Sequence, residues 1–385
     1  MTTGENPFLH RAARLALRAA GDVEPNPLVG AIIERDGRVL GMGHHRVFGG
    51  AHAEREALAD AARRGEDVRG ATMHVTLEPC PHHGKQPPCV EAILEARLAK
   101  VVFARHDPGE QSGRGAEKLR EAGVEAAADT SCPLATRLSD PFVHTTTTGR
   151  PWVTAKWAQT IDGRIATRTG ESKWISGPGA RRRVHRLRAR VDAILTGLGT
   201  VLADDPMLTA RDVRRVRRSA HRIVLDPELD TPADAAVVRT ARDVPTLIAC
   251  GKELATSDIA ARRRSAFELA GARLLGVPEV RDRPGALRIE MLMETLSQQL
   301  GVTNLLVEAG GVLLGSLFEA DLVCEAVVYV APLLLGDADA VAAAHGRVAE
   351  RLDHGRRFDL CRVRRAGDDV ELTYRRPLIS DQPRP

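Results

Sequence analysis

Along the first third of the chain, apolar positions fall into short blocks whose spacing switches between a helical and an extended period. Asn6-Pro7 can open a helix whose apolar face is Ala12, Leu15, Ala16 and Ala19, with Gly21 to end it. Apolar runs at residues 29–33 and 39–42 flank Asp36-Gly37, the pattern of a β-hairpin closed by a tight turn. Helical spacing follows at 51–64 and 87–97, buried strands at 73–77 and 101–104, and a short helix at 117–122 stopped by Gly123. Between 129 and 150 the pattern dissolves around Cys132-Pro133, Pro141 and the threonine run 145–148, which places a domain boundary near 149. Beyond it, strands are expected at 153–158, 193–196, 223–226, 246–250, 274–277, 304–308, 325–331 and 370–374, alternating with helices. That alternation predicts a second α/β domain with a mostly parallel sheet. The expected division is 1–148, 149–377 and a polar, proline-rich tail at 378–385 without fixed structure.

Composition narrows the function classes. A chain of 385 residues is comfortable as two domains, and 43% hydrophobic with 28% charged residues suits a globular protein with a full core. Aromatics are only 3%, so the core must be built from Ala, Val, Leu and Ile, and a stacking platform for single-stranded nucleic acid is disfavoured. Fifty-five basic against 51 acidic residues leave a net charge of +4, which fits small anionic ligands better than nucleic acid or a membrane surface. Residues 1–11 carry no signal-peptide run, and the apolar stretch 310–336 is broken by Glu319, Asp321 and Glu325. Six cysteines without a secretory segment are not a disulfide framework, so a cytoplasmic location is expected.

His52-Ala53-Glu54 opens one predicted helix, and Glu78-Pro79-Cys80 closes a strand before another helix at Pro87-Pro88-Cys89. One imidazole and two thiolates suit zinc and leave a fourth position for water. Each of the three pieces is expected at a helix start, where backbone N–H groups favour thiolate over thiol. Zinc lowers the pKa of its water to about 7, and Glu54 is placed to take that proton and hand it to a leaving amine. A structural zinc site, or a histidine and two cysteines merely filling a core, are the plainer alternatives. The nucleobase-deaminase signature is H-x-E followed by P-C-x-x-C. Here residues 81–88 lengthen the interval between Cys80 and Cys89 and carry His82, His83 and Lys85, which can reach a polar or anionic substrate.

A second constellation lies in the later half. Residues 304–308 read as a strand, and Gly310-Gly311 opens a helix with Gly315 one turn on, a place where a pyrophosphate can meet backbone N–H groups. Without the full G-x-G-x-x-G fingerprint, an ordinary strand-to-helix turn explains it equally well. On the basic helix at 181–190, which Ser176 and Pro178 can start, Val184, Leu187 and Val191 form the apolar stripe. Arg188 projects about 40° from Val184, beside that stripe, and is the better anion ligand of the group. The cluster 211–218 reads as a surface loop, with Arg211 at its edge.

Residues 24–115 resemble the deaminase half of the bifunctional riboflavin-biosynthesis deaminase/reductase family. The matching runs are Pro25-Asn26-Pro27-Leu28-Val29-Gly30, His52-Ala53-Glu54, and Val75-Thr76-Leu77-Glu78-Pro79-Cys80 through Cys89. The later half resembles the same family's reductase at 156–166 around Asp162-Gly163-Arg164, at 170–176, at 199–206 and at 308–311. Pro81, Gln86 and Ala309 depart from the family's usual Ser, Thr and Gly.

The resemblance implies a cytidine-deaminase-like three-layer α/β domain followed by a dihydrofolate-reductase-like α/β domain. It implies zinc on His52, Cys80 and Cys89, proton transfer by Glu54, and substrate contacts from Asn26, His82 and Lys85. In the second half it implies NADPH against Ala158, Trp174, Thr200, Asp204, Gly310, Gly311, Val312, Leu313, Leu314, Gly315 and Ser316. Ser172, Arg188, Leu208, Arg211 and Glu308 would hold a phosphorylated pyrimidine, with the phosphate on Arg188 and Arg211. A homodimer or higher homo-oligomer is implied as well. Other readings are a single-function pyrimidine deaminase with a non-catalytic second domain, a nucleic-acid deaminase and a zinc-stabilised regulator.

Overall fold

The computed structural model describes residues 4–109, 111–281, 283–346 and 350–377; the expected tail at 378–385 lies outside them. The chain forms two compact units, Met1–Gly149 and Arg150–Pro385.

In the first unit, Asn6 starts α1 (Pro7–Ala16): its Oδ1 accepts from the Phe8 and Leu9 N–H groups at 3.0 and 3.1 Å. β1 (Gly30–Arg35) turns into β2 (Arg38–His44) through Asp36 and Gly37, whose φ values of 52° and 81° suit a tight hairpin. There follow α2 (Ala53–Arg63), β3 (Thr72–Val75), α3 (Cys89–Glu95), β4 (Lys100–Phe103), α4 (Gly115–Glu121) and β5 (Glu125–Ala128). The sheet order is β2-β1-β3-β4-β5, antiparallel at the hairpin and between β1 and β3, and parallel from β3 to β5. On one face Leu9, Ala13 and Ala16 of α1 cluster with Val102 and Ala104. On the other, Ala53, Ala57, Ile93 and Leu119 from α2, α3 and α4 cluster with Ile33, Met73, Val75 and Phe103. These are the three layers of a cytidine-deaminase-like domain.

Aromatic-poor packing lets helices rest directly on strand backbone. A Cβ on Gly43 would collide with the backbone of Ala53 and Ala57, and one on Gly41 with the Ala57 carbonyl. The hairpin therefore presses α2 into place, and α2 begins next to the candidate metal ligand His52.

Residues 129–150 are not the structureless linker that the pattern suggests. They form α5 (Pro133–Thr136) and α6 (Asp140–Thr148). The threonines that argue against a helix satisfy their hydroxyls within it: Thr145, Thr147 and Thr148 donate to the carbonyls of Pro141, Val143 and His144 at 2.9, 2.8 and 2.7 Å. Gly149 closes α6 with φ 69°.

The second unit begins with β6 (Trp152–Gln159), β7 (Arg164–Ala166), α7 (Pro178–Arg188), β8 (Ala193–Gly197) and α8 (Leu198–Asp204). Then come β9 (His221–Leu225), α9 (Ala236–Arg239), β10 (Thr246–Gly251), α10 (Lys252–Thr256), α11 (Ala261–Ala270) and β11 (Arg273–Val277). The chain continues through β12 (Glu279–Val280), β13 (Arg283–Leu287), α12 (Ile289–Leu300), β14 (Asn304–Glu308), α13 (Gly311–Glu319) and β15 (Glu325–Val330). It ends with β16 (Val341–Ala342), β17 (Asp359–Ala366) and β18 (Asp369–Arg375).

The main sheet has the order β11-β10-β9-β8-β14-β6-β15-β18-β17, parallel as far as β15, with β18 and β17 antiparallel at one edge. Leu292 and Leu296 of α12 and Leu314 and Leu317 of α13 cover one face. Val201, Val238 and Phe267 from α8, α9 and α11 cover the other, with Ala180 and Val184 of α7 against Val327 and Tyr329. This is a dihydrofolate-reductase-like arrangement. Strand β17 carries Arg362, Arg364 and Arg365 and shows no apolar block, so the periodicity does not reveal it.

One helix start differs from expectation. Gly177, not Ser176, precedes α7; its N–H donates to Asp369 Oδ2 at 2.8 Å, and a Cβ on Gly179 would collide with the Ala366 carbonyl. Packing on the β17–β18 turn, rather than a hydroxyl cap, sets where α7 begins. Strand β14 returns between β8 and β6, and buried Asp192 holds it there: Oδ2 accepts from the Thr303 and Asn304 N–H groups, both at 2.8 Å.

Arg222 in β9 is fully buried, and among the described residues no carboxylate is a hydrogen-bond partner of it. Its guanidinium donates to the carbonyls of Met207, Val237 and Val244 and to the hydroxyls of Thr240 and Thr246 at 2.7–3.1 Å. Substitution by Met would leave several buried acceptors without donors. Arg222→Met is expected to lower stability by about 3 kcal/mol or more in urea unfolding. Arg222→Lys should recover only part of that, since an ammonium lacks the planar five-donor fork.

Candidate active sites

In the first unit, His52 is the residue preceding α2, and its Nδ1 lies 3.5 Å from Cys80 Sγ and 3.3 Å from Cys89 Sγ. These three donor atoms lie within 4.8 Å of one another. Cys89 opens α3, whereas Cys80 sits in a loop rather than at the expected helix start. The fold still brings that helix end to it, because the Cys89 N–H donates to Cys80 Sγ at 3.5 Å. The loop is anchored by buried Glu78, whose carboxylate accepts from the Ala116 N–H at 2.8 Å and from His106 Nδ1 at 2.9 Å.

Hydrogen bonds from the Cys89 thiol, working against burial and aided by His52 and the Cys89 N–H, hold the Cys80 thiol well below its ordinary pKa. The Cys80 sulfur and burial push Cys89 the other way, and the hydrogen bond with Cys80 raises His52. Two sulfurs and an imidazole crowded around one shared negative charge fit a divalent cation, and this donor set fits zinc. Glu54, in the first turn of α2, is 4% exposed, and burial followed by the Cys80 charge pushes its pKa up to about 7. A carboxyl poised there can both take and return a proton near neutrality.

Asn26 Nδ2 donates to His45 Nε2 at 3.1 Å, while His45 Nδ1 donates to the Ala51 carbonyl at 2.9 Å. The His45 ring meets His52 edge-on, with centroids 5.6 Å apart. Sequence reasoning missed His45; the pair His44-His45 at the hairpin end was the available signal. The 81–88 insert folds back on the loop before α2. Lys85 Nζ lies 3.8 Å over the Phe48 ring, and Gln86 Nε2 donates to the Gly49 carbonyl at 2.9 Å. His82 Nδ1 is buried without a hydrogen-bond partner among the described residues. The Pro81 carbonyl accepts from Lys118 Nζ at 3.3 Å, so both departures, Pro81 and Gln86, have partners in this loop.

In the second unit, β14 crosses between β8 and β6, and the crevice beyond the carboxyl ends of those strands is the expected ligand position. Glu308 closes β14 and is buried. Arg188 donates to it twice, Nε to Oε1 at 2.6 Å and Nη2 to Oε2 at 3.0 Å, and Lys156 Nζ lies 3.5 Å from Oε2. Burial alone would raise this carboxyl, but the Arg188 and Lys156 charges hold it at about 2. Arg188 Nη1 also donates to the Thr209 carbonyl at 3.2 Å. The guanidinium expected to hold phosphate is thus committed to a carboxylate and a carbonyl. Lys156 was not anticipated, its signal being a lone cation inside an apolar strand run.

Thr200 Oγ1 accepts from the Gly310 N–H at 3.2 Å, and Lys173 Nζ meets Asp204 Oδ1 at 3.1 Å. Trp174 is 71% exposed, Ser172 and Ala158 are half-buried, and the Arg211 N–H donates to His185 Nδ1 at 3.2 Å. Leu208 has φ 49° and is buried in a hydrophobic cluster, so little beyond its backbone is left to a ligand.

Of the seven residues expected along the cofactor helix, Gly310, Val312 and Ser316 are exposed. Leu313 and Leu314 turn into the core, and Gly311 and Gly315 lack a side chain because the 341–346 segment lies against them: a Cβ on Gly315 would collide with the His345 carbonyl. The outward part of that run is therefore shorter than expected, because a helix shows only one face. Gly199 and Gly310, by contrast, are exposed glycines at the starts of α8 and α13, a cradle that fits a dinucleotide phosphate.

The protein-family description "Cytidine and deoxycytidylate deaminase zinc-binding region" matches residues 3–105, and "RibD C-terminal domain" matches 151–372. The riboflavin biosynthesis protein RibD of Actinobacillus pleuropneumoniae is 38% identical over 371 residues, covering 95% of this chain and 94% of that one. This chain belongs to the RibD family. The Escherichia coli RibD protein is 37% identical, covering 95% of this chain and 97% of its own. A Thermotoga maritima crystal structure described as a deaminase/reductase is similar at TM-score 0.79 and 31% identity, covering 96% of this chain and 98% of its own. Like other RibD proteins, the chain is bifunctional, a deaminase joined to a reductase, with zinc serving the first half and NADPH the second. A lone deaminase with a non-catalytic second domain is not favoured. Among the described residues no helix is long and apolar enough to cross a membrane.

The charge cluster at Glu308 makes stability depend on pH with a definite sign. A carboxyl depressed from 4.5 to about 2 stabilises the fold above pH 4.5, and that contribution is lost as pH falls toward 2. It amounts to roughly 3 kcal/mol. The stability gap between the parent protein and Glu308→Gln in urea unfolding should stay constant from pH 8 to 5 and narrow only below that. A gap already closing at pH 6 would contradict the ion-paired assignment.

Proposed function

We propose that the first unit deaminates 2,5-diamino-6-(5-phosphoribosylamino)pyrimidin-4-one. The second unit then reduces the ribosyl group to give 5-amino-6-(5-phosphoribitylamino)uracil. The observation that carries the reading is the His52–Cys80–Cys89 donor triangle beside buried Glu54, in one chain with a RibD C-terminal domain.

In the first unit His52, Cys80 and Cys89 would hold zinc, which when bound would supply an activated water at neutral pH. Glu54 takes the water's proton as oxygen adds to the ring carbon bearing the amine, and returns it as the C–N bond breaks and ammonia leaves. Asn26, steadied by His45, orients the ring, and His82 and Lys85 contact the substrate's polar side. In the second unit bound NADPH would be the source of the hydride for reduction of the ribosyl group, with the accompanying proton drawn from solvent. Trp174, Thr200, Asp204, Ala158 and the outward face of 310–316 position the cofactor, while Ser172, the Leu208 backbone, Arg211 and Glu308 position the substrate. Because Arg188 is locked to Glu308, its part is to keep that carboxylate ionised and aimed, with Arg211 the freer cation for phosphate. No covalent catalyst is required; placement of nicotinamide against substrate does the work.

A reducing cytoplasmic setting fits the composition, since six cysteines in 385 residues do not make a disulfide framework. The exposed Leu360 and Val363 on edge strand β17 support self-association through the second unit.

The decisive experiment is product chromatography of the diamino substrate with purified protein, with and without NADPH. Ammonia should appear without cofactor and the ribityl product only when NADPH is added. Deaminated product that never advances would refute the second activity, and no turnover would refute both. Glu54→Gln should keep its zinc and lose ammonia release by roughly a hundred- to ten-thousandfold; full activity in that variant would remove Glu54 from the mechanism.

A further inference from the structure

The segment carrying Ser172, Lys173 and Trp174 has no regular structure, yet three anchors hold it. Lys173 Nζ reaches Asp204 Oδ1 at 3.1 Å and the Asp204 carbonyl at 3.2 Å, at the end of α8. The Gly177 N–H donates to Asp369. The third anchor is Arg181, in the first turn of α7. Its Nη1 donates to the Ser176 carbonyl at 2.6 Å, and its guanidinium carbon lies 4.5 Å over the Trp174 ring. Helix α7 is a firm base for this arm, since Ala180 and Val184 on either side of Arg181 are packed against Val327 and Tyr329.

An exposed indole on an irregular segment would ordinarily sample several rotamers and lose that freedom on binding a ligand. A guanidinium held over one face, and tied to the Ser176 carbonyl just ahead of α7, removes much of that freedom in advance. With 71% of its surface still exposed, Trp174 keeps its other face open.

We propose that Arg181 is a positioning residue for the reductase half. By stacking on Trp174 and bonding the Ser176 carbonyl, it presents the free face of the indole as a fixed platform for a flat ring of NADPH. This rests on the reading that Trp174 lines the cofactor site.

The test is a double-mutant cycle on the full chain with Arg181→Ala, Trp174→Ala and the pair, together with Arg181→Lys. NADPH affinity is measured by calorimetry, KM and kcat of the reductase step by turnover, and Trp174 mobility by fluorescence anisotropy without cofactor. Trp152 is buried and Trp157 half-buried, so Trp174 is the accessible reporter. Arg181→Ala should weaken NADPH binding about three- to tenfold, the range of a cation–π contact. It should also raise the KM for NADPH with kcat within about twofold, and lower the anisotropy of the cofactor-free protein. Arg181→Lys, which keeps the cation but not the plane, should fall between. In the Trp174→Ala background, loss of Arg181 should change NADPH affinity by less than about twofold. If Trp174→Ala binds NADPH as the parent does, the reading of Trp174 falls and the proposal with it. If Trp174→Ala weakens binding but Arg181→Ala does not, the proposal alone falls. An equal loss from Arg181→Ala with and without Trp174 overturns it too, because Arg181 would then act by another route.

Discussion

Close approach of helix to strand, made possible by small residues, is the constraint on which both active sites depend. A chain with 3% aromatics has few side chains able to fill wide gaps between layers, and at several glycines its helices approach neighbouring backbone directly. Gly41 and Gly43 let α2 lie on the hairpin, and a Cβ on Gly115 would collide with the Pro79 carbonyl beside Cys80. Gly179 does the same for the start of α7, and Gly311, against the Ala342 carbonyl of β16, for the start of α13. These contacts hold the first turns of α2, α4, α7 and α13, and chemistry-bearing residues sit at or near two of those ends: His52 and Glu54 at α2 and Gly310 before α13. A packing rule forced by composition thus becomes a positional rule for catalysis.

The charged interior follows a second logic. Asp192 and Arg222 are buried to organise backbone, one gathering the start of β14, the other three carbonyls near β9. Glu308 is buried to be held ionised, with Arg188 and Lys156 in the crevice where ligand is expected. Glu54 is the opposite case: burial and the Cys80 charge push its pKa up to about 7, and the His52 charge offsets only part of that. Two buried glutamates in one chain therefore take opposite roles, one a proton carrier and the other a fixed charge, and their neighbours decide which.

Much of the fold was legible because period and punctuation agreed. The Asn6-Pro7 start, the Asp36-Gly37 hairpin and the parallel strands at 193–196, 246–250 and 304–308 all appear close to where the pattern puts them. It failed where side chains satisfy themselves locally or where backbone pairing overrides pattern. The threonines of α6 bond back to their own helix, the alanine-rich β5 is held by β4, and β17 is an arginine-rich edge paired to β18. The terminal residues of helices were equally hidden, since Gly177 precedes α7 for a reason that lies on β17 and β18.

The linear sequence by itself determined which chemistry is available. The residue types His52, Glu54, Cys80 and Cys89, in that order and with helical or strand patterns beside them, specify a zinc-type donor set with a carboxyl at hand. Tertiary structure alone decided how those groups are charged and what they are free to do. Desolvation, through-space charge and directed hydrogen bonds depend on neighbours far apart in the chain, as when the Cys89 N–H serves Cys80 or Glu308 captures Arg188 across 120 residues. Spacing along a sequence constrains only what lies within a turn or two of helix or across a hairpin. That is why the ligands could be named from the sequence while the partner of Arg188 could not.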